Sequence, residues 1–148
     1  MTISKQNIAM GRHFPQINLI DSDSNQIILD TSILKAKFIL VDFWFSHCTP
    51  CLRQFPELKN IVSEYKPTEF EIIGVSTDDK EDEDNWKLVM RKQKLNWKNY
   101  LDVNGIEAAN RLNIFRYPTN FLLNNKGEIV QKAIPPFELQ KFLTQNLR

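Results

Sequence analysis

Both cysteines of the chain lie in one seven-residue stretch, FSHCTPC (Phe45–Cys51), two residues apart, with His47 immediately before Cys48. Cysteines at this spacing permit two chemistries. Their thiolates attack and re-form disulfides, and the same thiolates are soft ligands for zinc or copper. A bridge between them closes too short a loop to restrain the unfolded chain by much, so pairing would serve reaction rather than stability. His47 suits either case, as a ligand or as a charge that favours thiolate when protonated.

The flanking elements limit the choice. FILVDFWF (Phe38–Phe45) is apolar on both alternating faces except at Asp42, the pattern of a central strand covered on both sides. After the cysteines, Leu52, Phe55, Leu58, Ile61, Val62 and Tyr65 recur at helical spacing. They predict an amphipathic helix that begins at C-x-x-C, is bent by Pro56 and ends near Lys66 and Pro67. FEIIGVS (Phe70–Ser76) is a second buried strand, so strand, helix and strand follow as a parallel crossover. Cys48 then meets the unpaired N–H groups and the positive dipole end of a helix start, which favours its thiolate. Cys51 sits one turn further in, more shielded and within reach of Cys48. Asp42 is costly to bury ionised, so its pKa should rise and it could then exchange a proton. The ordinary alternative is a carboxyl near a strand end that reaches water or a lysine.

The remaining elements frame this unit. QINLI and QIILD flank the turn-rich DSDSN as an N-terminal β-hairpin, and Thr31 and Ser32 can cap a short helical turn before Lys35. The acidic run DDKEDED (Asp78–Asp84) lacks the ligand spacing and turn glycine of a calcium loop. It reads instead as the start of a helix with Trp86, Val89 and Met90 on its apolar face and Arg91, Lys92 and Lys94 at its end. Trp97–Leu101 predicts a short strand and Ile106–Leu112 a short helix. Thr119–Leu123 and Glu128–Lys132 predict an antiparallel pair around a turn at Asn124–Gly127, and Pro135–Leu147 a terminal helix. The fold class is α/β: a central mixed β-sheet flanked by helices, with an N-terminal hairpin.

A chain of 148 residues, 42% apolar, predicts a single domain over residues 1–148, with residues 1–10 a flexible lead-in. Its 19 basic and 18 acidic residues nearly cancel and form no basic stripe, which sets nucleic acid aside as a partner. No apolar run reaches the roughly 20 residues of a membrane span, and Met1–Gly11 lacks the apolar centre of a secretory signal. The chain as given is expected to be soluble and monomeric. A leader or lipid anchor in a longer precursor would put it outside the cytoplasm, membrane-tethered in the second case; a native start at Met1 would keep it cytoplasmic.

VDFWFSHCTPC, the helix proline Pro56 five residues after Cys51, and YPT (Tyr117–Thr119) opening a late strand together resemble the thioredoxin fold. The N-terminal hairpin and the long insertion before YPT are more similar to the TlpA/ResA-like branch of extracytoplasmic thiol-disulfide oxidoreductases, an AhpC/TSA-related family. The resemblance covers roughly Gly11–Leu147. It implies that Cys48 is the nucleophile, that Cys51 is the resolving thiol, and that Asp42 lies beneath Cys51 and helps deprotonate it. It implies a cis peptide bond before Pro118, turning the Tyr117 backbone toward the pair, where an extended substrate segment can bind. Trp44, His47, Thr49, Pro50, Tyr117 and Pro118 become the expected substrate contacts. No cofactor is expected beyond a reversible Cys48–Cys51 disulfide. The expected partners are disulfide-bearing or dithiol proteins and an electron-donor thiol protein, and the expected direction is reduction. Family members usually carry tryptophan at His47, glycine or glutamate at Thr49, and often glutamate at Gln54. These departures bear on the redox tuning and not on the fold. Asp78 and Asp79 lie near where ResA-like proteins place an active-site acid, and neither is assigned that role.

Three other readings compete. Structural zinc needs about four ligands, and the chain offers only Cys48, Cys51, His13 and His47, with unfavourable spacing. A copper carrier similar to the Sco family would show C-x-x-x-C and a late histidine, both missing here. A peroxiredoxin-like peroxidase would show P-x-x-x-T-x-x-C where this chain has DFWFSH before Cys48. The third is a partner-binding module with incidental cysteines.

Overall fold

A computed structural model describes residues 5–147 of the protein. Among the described residues the strands are β1 (Ile17–Ile20), β2 (Gln26–Leu29), β3 (Phe38–Trp44), β4 (Phe70–Ser76), β5 (Lys98–Asp102), β6 (Thr119–Asn124) and β7 (Ile129–Lys132). The helices are α1 (Thr49–Ser63), α2 (Glu83–Gln93), α3 (Glu107–Arg111) and α4 (Pro136–Leu147). The strands form one sheet in the order β2-β1-β5-β4-β3-β6-β7. β3, β4 and β5 run parallel, and β6, β7 and the hairpin run antiparallel to their neighbours. The expected hairpin does not stand apart, because β5, inside the insertion between β4 and β6, pairs with β1 through Leu19 and Ile20.

The period-two alternation of β3 divides the core. Ile39, Val41 and Phe43 face one layer with Phe14, Leu19, Leu112 and Phe121. Leu40 and Trp44 face the other, beneath Phe55 and Leu58 of α1 and Leu139 and Leu143 of α4. Asp42 has the parity of this second face. Trp44 packs edge-on against Phe55 with ring centroids 5.0 Å apart, which seats α1 across the strand that leads into it.

Several local details differ from the sequence reading. The turn at Thr31–Ile33 is capped by Asp30, whose carboxylate accepts from Ser32 N–H, rather than by Thr31 or Ser32. The acidic run first forms a 3-10 turn at Lys80–Asp82, capped by Asp79, before α2 begins. Of the expected flexible lead-in, Met1–Ser4 lie outside the described residues. Beyond them, Lys5 Nζ donates to Asn110 O at 2.6 Å and Gln6 N–H to Arg111 O at 2.9 Å, along the end of α3.

Gly74 of β4 lies beside Asp42 of β3 and Asn99 of β5. A Cβ there would overlap Asn99 Oδ1 and come within 3.1 Å of Trp44 Nε1, the two atoms joined by the indole's hydrogen bond. Gly74→Ala should therefore overpack the sheet and disturb that bond, lowering stability by roughly 2–4 kcal/mol in urea unfolding. A loss under about 0.5 kcal/mol would show that Asn99 moves aside freely.

Candidate active site

Cys48 is the N-cap of α1, with φ −84° and ψ 98°, and its Sγ accepts from Cys51 N–H at 3.3 Å. A sulfur thus occupies the place where a helix start most favours a partial or full negative charge. Thr49 and Pro50 fill the first helical positions, where proline costs nothing because its missing N–H would have had no helical partner. Spacing of three residues brings Cys51 onto the same side one turn in, and the two sulfurs are joined as a Cys48–Cys51 disulfide with Cα atoms 5.3 Å apart. Cys48 is 4% and Cys51 1% exposed, so both abut the core and Cys48 lies nearer its surface. The helix continues through Pro56 to Ser63.

The sheet register brings a second segment alongside. Phe43 pairs with Thr119, so the turn ending at Pro118 sits at the same sheet end as the loop between β3 and α1. The peptide bond between Tyr117 and Pro118 is cis, as the resemblance implied. The Phe45 and Tyr117 rings meet edge-on with centroids 5.4 Å apart, tying the two segments together. Burial raises the Tyr117 hydroxyl above its ordinary pKa, opposed by a hydrogen bond with the Thr77 side chain. Thr77 N–H in turn donates to Trp44 O at 2.8 Å.

Asp42 is buried on the face covered by α1 and belongs to a polar row across the sheet: Asn99, Gly74, Asp42, Asn120. Its neighbours do not satisfy it. Asn120 bonds the Ile134 backbone and Asn99 bonds Trp44, while Asp42 Oδ1 has no hydrogen-bond partner. Desolvation pushes its pKa from 3.8 up to about 7. The expected rise is present, and its cause is burial rather than a neighbouring charge.

Trp44 was an expected substrate contact, and here the structure corrects the reading. Its side chain is fully buried under α1 and donates to Asn99 Oδ1 at 3.1 Å, because β3 alternation turns it into the core. His47, Thr49 and Pro50 are exposed around Cys48, while Tyr117 and Pro118 are half-buried. His47 Nε2 lies 3.5 Å from an Asp82 carboxylate oxygen and 3.3 Å from Asn85 Nδ2, at the start of α2. His13 lies elsewhere, against the Phe14 carbonyl and Gly127. Among the described residues no three His, Cys, Asp or Glu side chains cluster to hold a metal ion.

Sequence reasoning missed Ser46, Ser76 and Asn85 and left Asp78 unassigned. Asp78 is buried and accepts from Ser46 N–H at 2.9 Å, from the Ser46 hydroxyl at 2.7 Å and from the Ser76 hydroxyl. Asn85 Nδ2 donates to Ser46 Oγ at 2.8 Å. The available signal was a serine and an aspartate in segments predicted to leave adjacent strands at the same end.

Residues 36–129 match the family model described as thioredoxin-like. The thiol-disulfide oxidoreductase ResA of Bacillus cereus is 27% identical over 130 residues, 88% of this chain and 72% of that protein. Its namesake from Bacillus subtilis is 28% identical over 127 residues, 86% of this chain and 68% of that one. The thioredoxin domain of a thiol-disulfide oxidoreductase from Bacteroides vulgatus superposes with a TM-score of 0.80 at 30% identity, covering 96% of this chain and all of that domain. With a C-x-x-C disulfide at the start of α1 and this breadth of likeness, the chain belongs to the thioredoxin-like family, as one of its thiol-disulfide oxidoreductases.

Proposed function

We propose that the chain reduces disulfides in protein substrates, with Cys48 attacking and Cys51 resolving. The observation that carries the reading is the Cys48 sulfur at the N-cap of α1, accepting from Cys51 N–H and paired with Cys51. Cys48 thiolate attacks one substrate sulfur, forming a mixed disulfide and releasing the other substrate sulfur as thiolate. Cys51, giving its proton to Asp42, attacks Cys48 Sγ; the Cys48–Cys51 disulfide forms and the second substrate sulfur leaves as thiolate, to be protonated by water or by Asp42. Two electrons have moved to the substrate, and a donor dithiol protein restores the pair. Tyr117 and Pro118 receive an extended substrate segment through the Tyr117 backbone, while His47, Thr49 and Pro50 form the rim a partner meets.

Likeness to the ResA thiol-disulfide oxidoreductases supports an extracytoplasmic site of action. Among the described residues no helix is long and apolar enough to cross a membrane. The test uses a protein disulfide such as insulin with a dithiol as electron donor. The chain is expected to speed reduction in proportion to its concentration, and its pair is expected to equilibrate with glutathione at a defined ratio. A chain that leaves the uncatalysed rate unchanged and never cycles between dithiol and disulfide would refute the proposal. If it oxidises reduced substrates faster than it reduces oxidised ones at the poise of its compartment, the direction reverses while the roles of the cysteines stand.

A further inference from the structure

The loop between β3 and α1 is held from beneath by a carboxylate from another strand's end. Ser46, two residues before Cys48, is 3% exposed, and its backbone N–H and hydroxyl both point to Asp78, itself 5% exposed. Ser76, fully buried at the end of β4, donates its hydroxyl to the same carboxylate and accepts from Asp78 N–H at 2.9 Å. Asn85 of α2 closes the group from outside through Ser46 Oγ and lies against His47. The Ser46 and Ser76 groups that meet the carboxylate oxygens are donors, the partner set that suits a group able only to accept.

Phe45 and His47 hold the loop by its side chains, against Tyr117 and against Asp82 and Asn85, whereas Asp78 takes hold of its backbone. Cys48 N–H returns to Phe45 O at 3.1 Å, closing a tight turn in which Ser46 and His47 are the central residues. Cys48 must keep its extended N-cap backbone for Sγ to sit over the first N–H groups of α1. A turn free to rock would let that sulfur leave the helix end, and with it the field that favours thiolate.

We infer that Asp78 is a positioning residue for thiol-disulfide exchange, clamping Ser46 so that the Cys48 sulfur stays over the N-terminus of α1. This rests on the thiol-disulfide reading of the Cys48–Cys51 pair. Asp78 acts through the backbone of the loop and is separate from Asp42, which lies within the sheet on the face under α1.

The sign of the effect separates positioning from charge. As a nearby negative charge alone, Asp78 would oppose the Cys48 thiolate, and neutralising it would make Cys48 more reactive. As a clamp, it supports the thiolate, and loosening it makes Cys48 less reactive. Two variants of the full chain decide, Asp78→Asn and Ser46→Ala. The first keeps the size of the side chain but turns one acceptor into a donor; the second keeps the carboxylate and removes one of its donors. The readouts are the Cys48 alkylation rate of the reduced protein near neutral pH, the equilibrium constant with glutathione, and urea unfolding of each redox form.

Both variants are expected to alkylate more slowly, Asp78→Asn by roughly tenfold and Ser46→Ala by less, with the equilibrium with glutathione moved toward the disulfide form. Faster alkylation in Asp78→Asn with Ser46→Ala unchanged would mean a field effect and overturn the clamp. Unchanged alkylation and equilibrium in both, with lower stability, would reduce Asp78 to a structural residue and overturn it equally. Should Asp78→Asn fail to fold, Ser46→Ala decides alone: slower alkylation supports the clamp and an unchanged rate refutes it. A wild-type pair that does not exchange at all would refute the parent reading, a result distinct from any difference between wild type and variants.

Discussion

Cys51→Ser is expected to stop catalytic turnover and leave Cys48 joined to its substrate, while Cys48→Ser is expected to abolish reaction without trapping anything. The asymmetry comes from position. Cys48 is the N-cap and accepts from Cys51 N–H, so its sulfur is the one whose negative charge the helix end favours. Replacing it with a hydroxyl, a far poorer nucleophile, should reduce disulfide reduction by at least about 10³-fold, to background. Cys51 is 1% exposed and lies one turn inside, so a substrate disulfide reaches Cys48 first and Cys51 can attack only the mixed species that follows. Covalent adducts of Cys51→Ser, resolved on non-reducing gels and released by dithiothreitol, check the assignment. Equal trapping by both variants would reverse or dissolve the division of labour between the two sulfurs.

Asp42→Asn is expected to make the protein more stable at alkaline pH and a poorer enzyme at the same time. Burial raises the Asp42 pKa from 3.8 to about 7 in the folded state, while the unfolded chain returns it to near the ordinary value. Between those limits the folded protein binds the proton more tightly. The stability this group contributes is full below about pH 4 and is lost as pH rises toward 7, after which the curve is flat. A shift of about three units corresponds to roughly 4 kcal/mol across that window. The wild-type protein should therefore show a downward slope in unfolding free energy from pH 4 to 7 that Asp42→Asn lacks. Urea titrations at three pH values measure it, and parallel curves for the two proteins would contradict the assigned burial cost. If Asp42 takes the Cys51 proton, the same substitution should slow resolution of the mixed disulfide by roughly 10²-fold and remove an inflection near pH 7 from the rate profile.

How far the sequence disclosed this arrangement depended on whether a feature was local or formed across strands. β3 was legible because a seven-residue run with six apolar residues spread over both faces has few other stable placements, and Asp42 stood out against them for the same reason. The start of α1 at the cysteines was legible from helical periodicity beginning at Leu52. The cis bond before Pro118 was not readable from the residues themselves, since Tyr-Pro-Thr also fits an ordinary strand start; resemblance supplied it. Trp44 entered the expected substrate contacts with the resemblance, whereas strand parity turns its side chain inward. Asp78 and Ser46 are 32 residues apart, and their bond depends on two parallel strands ending level, with Trp44 paired to Ser76. No periodicity records such a meeting, and the acidic run that Asp78 opens reads in sequence as the start of a helix.

The sulfur cap on α1 joins two equilibria usually measured apart. Reduction and unfolding form a closed thermodynamic cycle: folded disulfide, folded dithiol, unfolded dithiol and unfolded disulfide. Around it, the difference in unfolding free energy between the redox forms must equal the difference in reduction free energy between the folded pair and the same two cysteines in an unstructured chain. Every contact that holds Cys48 better in one redox form than in the other therefore appears twice, once in a melting curve and once in a redox titration. A protein whose reduced form melts later is, by that amount, a stronger oxidant than its own unfolded peptide. For this chain, a calorimeter can thus report how oxidising the folded pair is relative to the same two cysteines in the unfolded chain.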